Sequence, residues 1–472
     1  MRFSPSMPLL PLGLVLGPLP IVALSIVFIV VAIAVFRLHA FFSLLLAAVL
    51  VSLLTVANQP GEHNFSKAVD AVMASFGTTA GNLGGAIALA AVIGIALMES
   101  GAADKIVRRL IAVLGESRAA LALCACSFLL AGPVFVDTVF MLMLPLARAL
   151  ALRTGKDFVL YVMAIGAGGV VANGVIPPAP GPLFVAESLK IQVGHAIPAG
   201  ILFGILPALG GLAVARWFNV RNPIAPRPLV GERTVAAAAQ DESDLPGFWI
   251  SIAPVLLPLV LIATDATAAL FAKSIPGSLA TTLHFFGNKN VALFVGAVIA
   301  LGLQARRKNL PWRDIGPLFG PPLGTGAIII LIVSAGGAYG AMIKNAGVGD
   351  SIKALFGAEN LNPVLLAWTI TALIRGAQGS ATVATIAGAG VMMSIAGHGG
   401  FGVHPLYIFL AIGFGSKCLP WMNDAGFWVV SRMSGLTQGE MLRTWSPVLT
   451  LISLLGLIEV FIASMLWPQL PF

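Results

Sequence analysis

The stretch "ANGVIPPAPGP", residues 172–182, carries four prolines and two glycines inside a long apolar region. A helix crossing a membrane should not tolerate it. Proline lacks an N–H and its ring clashes with the preceding turn. Lipid holds no water to satisfy the carbonyls that are freed. Such backbone survives at membrane depth only where it is buried in protein or lines a wet cavity. The stretch therefore predicts an interrupted membrane helix with a site at the interruption.

The surroundings support a membrane setting. The chain has 472 residues, 58% hydrophobic and 10% charged, with a mean hydropathy of +0.97. Apolar runs approaching the ~20 residues that span a bilayer recur from end to end. They fall near residues 20–36, 39–57, 82–98, 118–131, 133–152, 158–172, 183–190 and 196–216, then 248–266, 290–305, 322–343, 363–375, 380–396, 404–417, 425–434 and 444–466. The expected fold class is an all-α polytopic membrane protein. The apolar run after Arg2 continues to Phe36 without a polar break, so it reads as a first membrane helix rather than a signal peptide.

Composition excludes several functions. The net charge of +8 is spread over short loops, with no basic block interleaved with aromatics. It sets topology rather than binding nucleic acid. Cys124, Cys126 and Cys418 lie in apolar segments and read as small packing residues. The histidines at 39, 63, 195, 284, 398 and 404 show no metal-ligand spacing. No cofactor, metal site or catalytic triad is expected, and the chain does not read as an enzyme.

The two halves resemble each other. "GGAIALAAVIGIALMESGAADKI" (84–106) parallels "GAIIILIVSAGGAYGAMIKNAGVGDSI" (326–352). "LLAGPVFVDTV" (129–139) parallels "LIRGAQGSATV" (373–383), and "GPLFVAESL" (181–189) parallels "GFWVVSRMS" (426–434). The matches keep their order at an offset of about 245 residues, as an internal repeat would. The expected domains are a first repeat over 1–216, a polar linker over 217–247 and a second repeat over 248–472.

Charge fixes the orientation. Arg37, the 105–118 loop, the turn Arg148/Arg153/Lys156, the 216–233 loop and Arg306/Arg307/Lys308/Arg313 should all be cytoplasmic. This requires 118–152 to be a re-entrant hairpin that returns to the side it left. The repeats are then inverted, the second hairpin (363–396) enters from outside, and both termini are external. About ten crossings and two hairpins result.

In inverted-repeat transporters, broken helices and hairpin tips meet near the midplane and form the substrate site. The expected breaks are "NGVIPPAPGP" (173–182) and "LPWMNDAG" (419–426), beside tips at "AGPVFVD" (131–137) and "RGAQGSAT" (375–382). Half-helix N-termini there suit an anion. Charges at membrane depth are costly and hence informative. Asp137 is a coupling carboxylate or a helix cap. Asp424, after Asn423, binds substrate hydroxyls, caps a half-helix or titrates. Arg375 pairs with an anionic substrate or neutralises an aspartate. Thr138, Asn173, Gln378, Ser380 and Thr382 supply neutral donors and acceptors, with the backbone at Gly181 and Gly379 beside them. Glu99, Glu187 and Glu459 are expected near helix ends, snorkelling.

These segments resemble the gluconate permease (GntP) family of symporters. The resemblance rests on "GPVFVDTVFMLMLPLARALALRTGKD" (132–157), "NGVIPPAPGP" (173–182), "AQGSATVA" (377–384) and "NDAGFWVVSRMSGLTQGEMLRTW" (423–445). It implies uptake of sugar acids or related hydroxy-carboxylates with protons, by inner-membrane proteins. The wider superfamily implies an elevator-type movement, commonly in a homodimer. The chain departs from the family pattern where histidines are usual, having Asn173, Ala179 and Trp421 instead. Trp421 is expected to fill site volume, which favours a smaller or less hydroxylated acid. The resulting expectation is a symporter for a small organic anion, coupled to protons or sodium through Asp137 or Asp424. The alternative is a cation/proton antiporter of similar architecture.

Overall fold

The computed structural model describes residues 17–57, 64–132, 136–221, 223–227, 245–270, 276–347, 362–396 and 401–470. Within these the regular structure is helical. The first half comprises α1 (Pro18–Ala34), α2 (Ala40–Ala57), α3 (Phe65–Glu99), α4 (Ala102–Leu114), α5 (Ala119–Leu130), α6 (Val136–Thr154), α7 (Phe158–Val175), α8 (Pro180–Ser188) and α9 (Val193–Arg221). The second comprises α10 (Phe248–Leu270), α11 (Gly277–Gly287), α12 (Lys289–Arg307), α13 (Gly320–Asn345), α14 (Pro363–Gln378), α15 (Ala381–Ala396), α16 (Pro405–Gly415), α17 (Ala425–Ser434), α18 (Gln438–Arg443) and α19 (Trp445–Leu466). Eight helical spans among the described residues are long and apolar enough to cross a membrane.

Each half runs through the same order: a long helix, a two-helix hairpin, an interrupted helix and a long closing helix. The packing repeats too. Long helices α3 and α13 pack together, and α2 lies on α13 as α12 lies on α3. Hairpin arm α5 packs on α7, and α14 packs on α16. The interrupted helices form the centre: α16 is buried from Leu406 to Gly415, and nearly all of α7 is buried. Both are apolar on every face, as helices enclosed by other helices must be.

Local chemistry sets the helix starts. Asn64 accepts from the Lys67 amide at 3.0 Å and opens α3. Asn362 caps α14 and His404 caps α16, each followed by a proline at the first helical position, where no N–H is needed.

Polar contacts gather at two ends. At one, Asn219 donates to Asp157 at 2.7 Å. Arg148 donates to the Arg227 carbonyl at 2.6 Å, and Arg227 forks onto Glu440 at 2.7 and 2.5 Å. At the other, Lys289 pairs with Glu187 at 2.7 Å, and Tyr407 donates to the Trp467 carbonyl at 2.8 Å. Helix α9 has 29 residues and runs from the loop after Glu187 to Asn219, a length of about 43 Å at 1.5 Å per residue. The loops that follow α8 and α17, equivalent in the repeat, thus lie at opposite ends.

Four expectations need correction. Residues 105–118 are not simply a loop, because 102–114 form α4, an amphipathic helix burying Ala102, Ala103, Ile106 and Val107. Helix α3 begins at Phe65 rather than near 82, since the polar residues before 82 sit on a continuous, well-capped helix. Arg148 lies inside α6, not in a turn. Glu459 lies within α19 rather than near its end, and its Oε2 is buried without a partner among the described residues. Glu99 does sit at a helix end, paired with Lys308. Most of the linker (228–244), the first hairpin tip (133–135) and the repeat motif at Asp350 lie outside the described residues.

By the positive-inside expectation, the Asp157/Arg227 end would face the cytoplasm. The native cysteines are buried. A cysteine at exposed Lys156 should therefore resist a membrane-impermeant thiol reagent in intact cells, while one at exposed Gln469 should react. The reverse pattern would invert the assignment.

Candidate functional site

The two interruptions meet at close quarters. The first spans residues 176–179, between α7 and α8, and the second spans 416–424, between α16 and α17. The first is narrower than the proline content suggests. Pro180 and Pro182 sit in the first turn of α8, where proline is tolerated. Asn173 and Gly174 remain helical. Glycine permits the approach of the two helices. A Cβ on Gly413 would stand 2.6 Å from the Gly174 carbonyl oxygen, and one on Gly174 would strike the Lys417 side chain.

The second hairpin tip is held against the second break. Helix α14 ends on Gly379 at φ +87°, and any side chain there would collide with the Asn423 carbonyl. Only glycine meets both demands. Gln378 clamps the next turn, accepting from the Ser380 amide at 2.9 Å and donating to its carbonyl at 2.5 Å. Asn423 and Trp421 both donate to the Gly376 carbonyl, at 2.9 and 2.8 Å. Residues 421–424 are thus stapled across the tip.

A cavity of about 420 Å³ lies where these parts converge. Its walls come from Val136 and Thr138, from Asn173 and Gly181, from Ser380, Thr382 and Thr385, and from Asp424 to Gly426. Thr325, Ile329 and Ile332 of α13 close one side, and Trp445 and Leu449 of α19 close another. The N-termini of α8, α15 and α17 all border it. The partial positive charge of these helix ends favours an anion.

The charged lining is unequal. Among the described side chains it consists of Arg375, Lys417 and Asp424. Arg375 is 3% exposed, and its Nη2 donates to Asp424 Oδ2 at 2.7 Å. Asp424 Oδ1 also accepts from the Gly426 amide at 3.0 Å, capping α17. Of the roles open to Arg375, the ion pair with aspartate is the one formed. Its Nε and Nη1 are buried without partners among the described residues. No group of His, Cys, Asp and Glu suited to a metal ion occurs among the described residues.

Comparison with known proteins fits this geometry. The model of the GntP family permeases matches residues 17–466. The chain belongs to the GntP permease family. It is 32% identical over 450 residues to a gluconate permease of Pseudomonas aeruginosa, covering 93% of this chain and 96% of that one. It is 30% identical over 454 residues to the Gnt-II system L-idonate transporter of Escherichia coli, covering 94% and 98%. Among solved structures, the Alcanivorax borkumensis YdaH transporter superposes with a TM-score of 0.63 at 14% identity, covering 91% of this chain and 98% of that one. That likeness is one of fold. As a GntP permease with eight membrane-length spans among its described residues, the protein is a multi-pass transporter of the bacterial cell membrane and not an enzyme.

Seven of the residues expected from sequence line the cavity: Thr138, Asn173, Gly181, Arg375, Ser380, Thr382 and Asp424. Gln378, Gly379 and Asn423 instead shape the hairpin tip. Asp137 is the second residue of α6, and its side chain lies outside the described residues. Trp421 does not fill the cavity. It is 44% exposed, because its indole N–H is drawn to Gly376 on the far side of the tip. Sequence reasoning missed Lys417, Thr325, Thr385 and Trp445. Lys417 left a signal, a lone charge at membrane depth between an apolar helix and a break.

The Arg375–Asp424 pair makes a stability prediction. Breaking a buried ion pair leaves an uncompensated charge and costs about 3–5 kcal/mol. Asp424→Asn and Arg375→Gln should each lower the thermal unfolding midpoint in detergent, and the double variant should lose less than the sum. Strict additivity would show that the pair contributes nothing as a pair.

Proposed function

We propose that this permease imports a small organic anion, a sugar acid such as gluconate or a related hydroxy-carboxylate, in symport with protons. The observation that carries the reading is the cavity itself. It lies at the crossing of two interrupted helices, is bordered by three helix N-termini and has two cations against one carboxylate among its described side chains. The Asn, Ser and Thr side chains around it can bind substrate hydroxyls. The relatives named for gluconate and L-idonate support the same substrate class.

The repeated element order and the opposite placement of equivalent loops support inverted repeats. The α13 side of the cavity would then be a fixed wall, past which the hairpins and broken helices carry the substrate in an elevator-type movement. A cation/proton antiporter is the weaker reading. It would need carboxylates free to hold a cation, whereas Asp424 is occupied by Arg375 and an amide.

One proton moving with one monoanion transfers no net charge. A membrane potential, worth about 2.3 kcal/mol per charge per 100 mV, would not drive that cycle. In proteoliposomes, gluconate uptake should accelerate when the outside is acidified and should be indifferent to an imposed potassium diffusion potential. Sodium efflux without organic-acid uptake would establish the antiporter instead. Asp137→Asn should abolish pH-driven accumulation while leaving exchange at equal pH. Normal accumulation by that variant would remove Asp137 from coupling.

A further inference from the structure

Lys417 has no place in the reading so far. It sits just past the end of α16, is 4% exposed and lines the cavity. Its backbone N–H donates to the Phe414 carbonyl, but its ammonium has no hydrogen-bond or ion-pair partner among the described residues. The backbone makes room for it: a Cβ on Gly174 would run into its stem and stand 3.2 Å from Nζ. Asn173, the next residue along α7, faces the same cavity.

Arg375 is the other cation beside an anionic substrate, and although its Nε and Nη1 have no partner among the described residues, its charge is not free. Its charge is balanced by Asp424, which is itself fixed by the Gly426 amide. The pair together is neutral. The net positive charge of the described lining therefore resides on Lys417.

We infer that Lys417 Nζ is the counter-ion of the substrate's carboxylate, and that the Arg375–Asp424 pair builds the site without being that counter-ion. The inference rests on the anion-transport reading above and adds the residue that discriminates acid from neutral polyol. A carboxylate neutralises the unbalanced charge of the described lining, and a charge-assisted hydrogen bond is among the stronger polar contacts. The substrate's hydroxylated chain then extends from Lys417 toward Ser380 and Thr382, where short side chains can accept and donate. A purely structural lysine is the competing reading. Lys417 follows the C-terminus of α16 and crosses the last turn of α7, where a cation can offset carbonyl charge.

The two roles differ in what they discriminate. Purified protein would be tested for binding of gluconate and of gluconamide, its neutral near-isostere, by displacement of labelled gluconate. The wild type should prefer the acid at least tenfold. Lys417→Gln should collapse that ratio toward one, Lys417→Arg should keep most of it, and the double variant Arg375→Gln/Asp424→Asn should weaken both ligands while preserving the ratio. A structural lysine would lower both affinities and leave the ratio intact, which overturns the inference. A ratio near one in the wild type overturns it without any variant, so a failure of Lys417→Gln to fold does not protect it. A ratio that follows Arg375 rather than Lys417 also overturns it, while leaving anion transport standing. If neither ligand binds, the sugar-acid reading falls and this inference with it.

Discussion

The structure depends on one constraint: backbone freed from a helix at membrane depth must be satisfied by protein. The prolines at 177–182 and the break at 416–424 release carbonyls and amides that lipid could not satisfy. Both breaks are therefore wrapped. Helices α7 and α16 are buried on all sides, and Gly174 and Gly413 let them cross almost backbone to backbone. Helix α19 supplies partners for the second break, since the Leu419 amide donates to Thr450 Oγ1 and the Ser446 hydroxyl donates to the Pro420 carbonyl. Once the breaks are enclosed in this way, the adjoining helix N-termini necessarily point at a shared space. The proposed anion site follows from the same construction that makes the break tolerable.

The legible part of this architecture was the part written in steric and solvation terms. Proline clusters, glycine pairs and apolar runs located both breaks, both hairpins and most of the lining, because those residue types act through local backbone rules. Side-chain placement at the tip was less legible. Gln378, Gly379 and Asn423 sit beside the cavity yet face the staple, and nothing local decides which way an amide points. Trp421 illustrates the same limit, since its direction is set by a carbonyl forty-five positions earlier in the chain. Helix α4 was hidden because its arginines read as loop charge, although its apolar residues fall at helical spacing. Lys417 was overlooked because the second break begins at Ser416, three residues earlier than the expected 419.

The electrostatics also distinguish this chain from its family pattern. Where the family resemblance leads one to expect histidines, this chain has Asn173, Ala179 and Trp421, and Asn173 lines the cavity. Lys417 lines the same cavity as Arg375 and Asp424.

The most direct test of the account is whether substrate occupies the cavity between the hairpin tip and the breaks. Ser380 lines it, and the native cysteines are buried. A Ser380→Cys variant that still transports would be labelled with a charged thiol reagent in the presence of gluconate or of the matching sugar alcohol. The account predicts that gluconate slows labelling in a concentration-dependent way and that the alcohol does not. Unchanged labelling at gluconate concentrations that saturate uptake would place the substrate elsewhere and contradict the site.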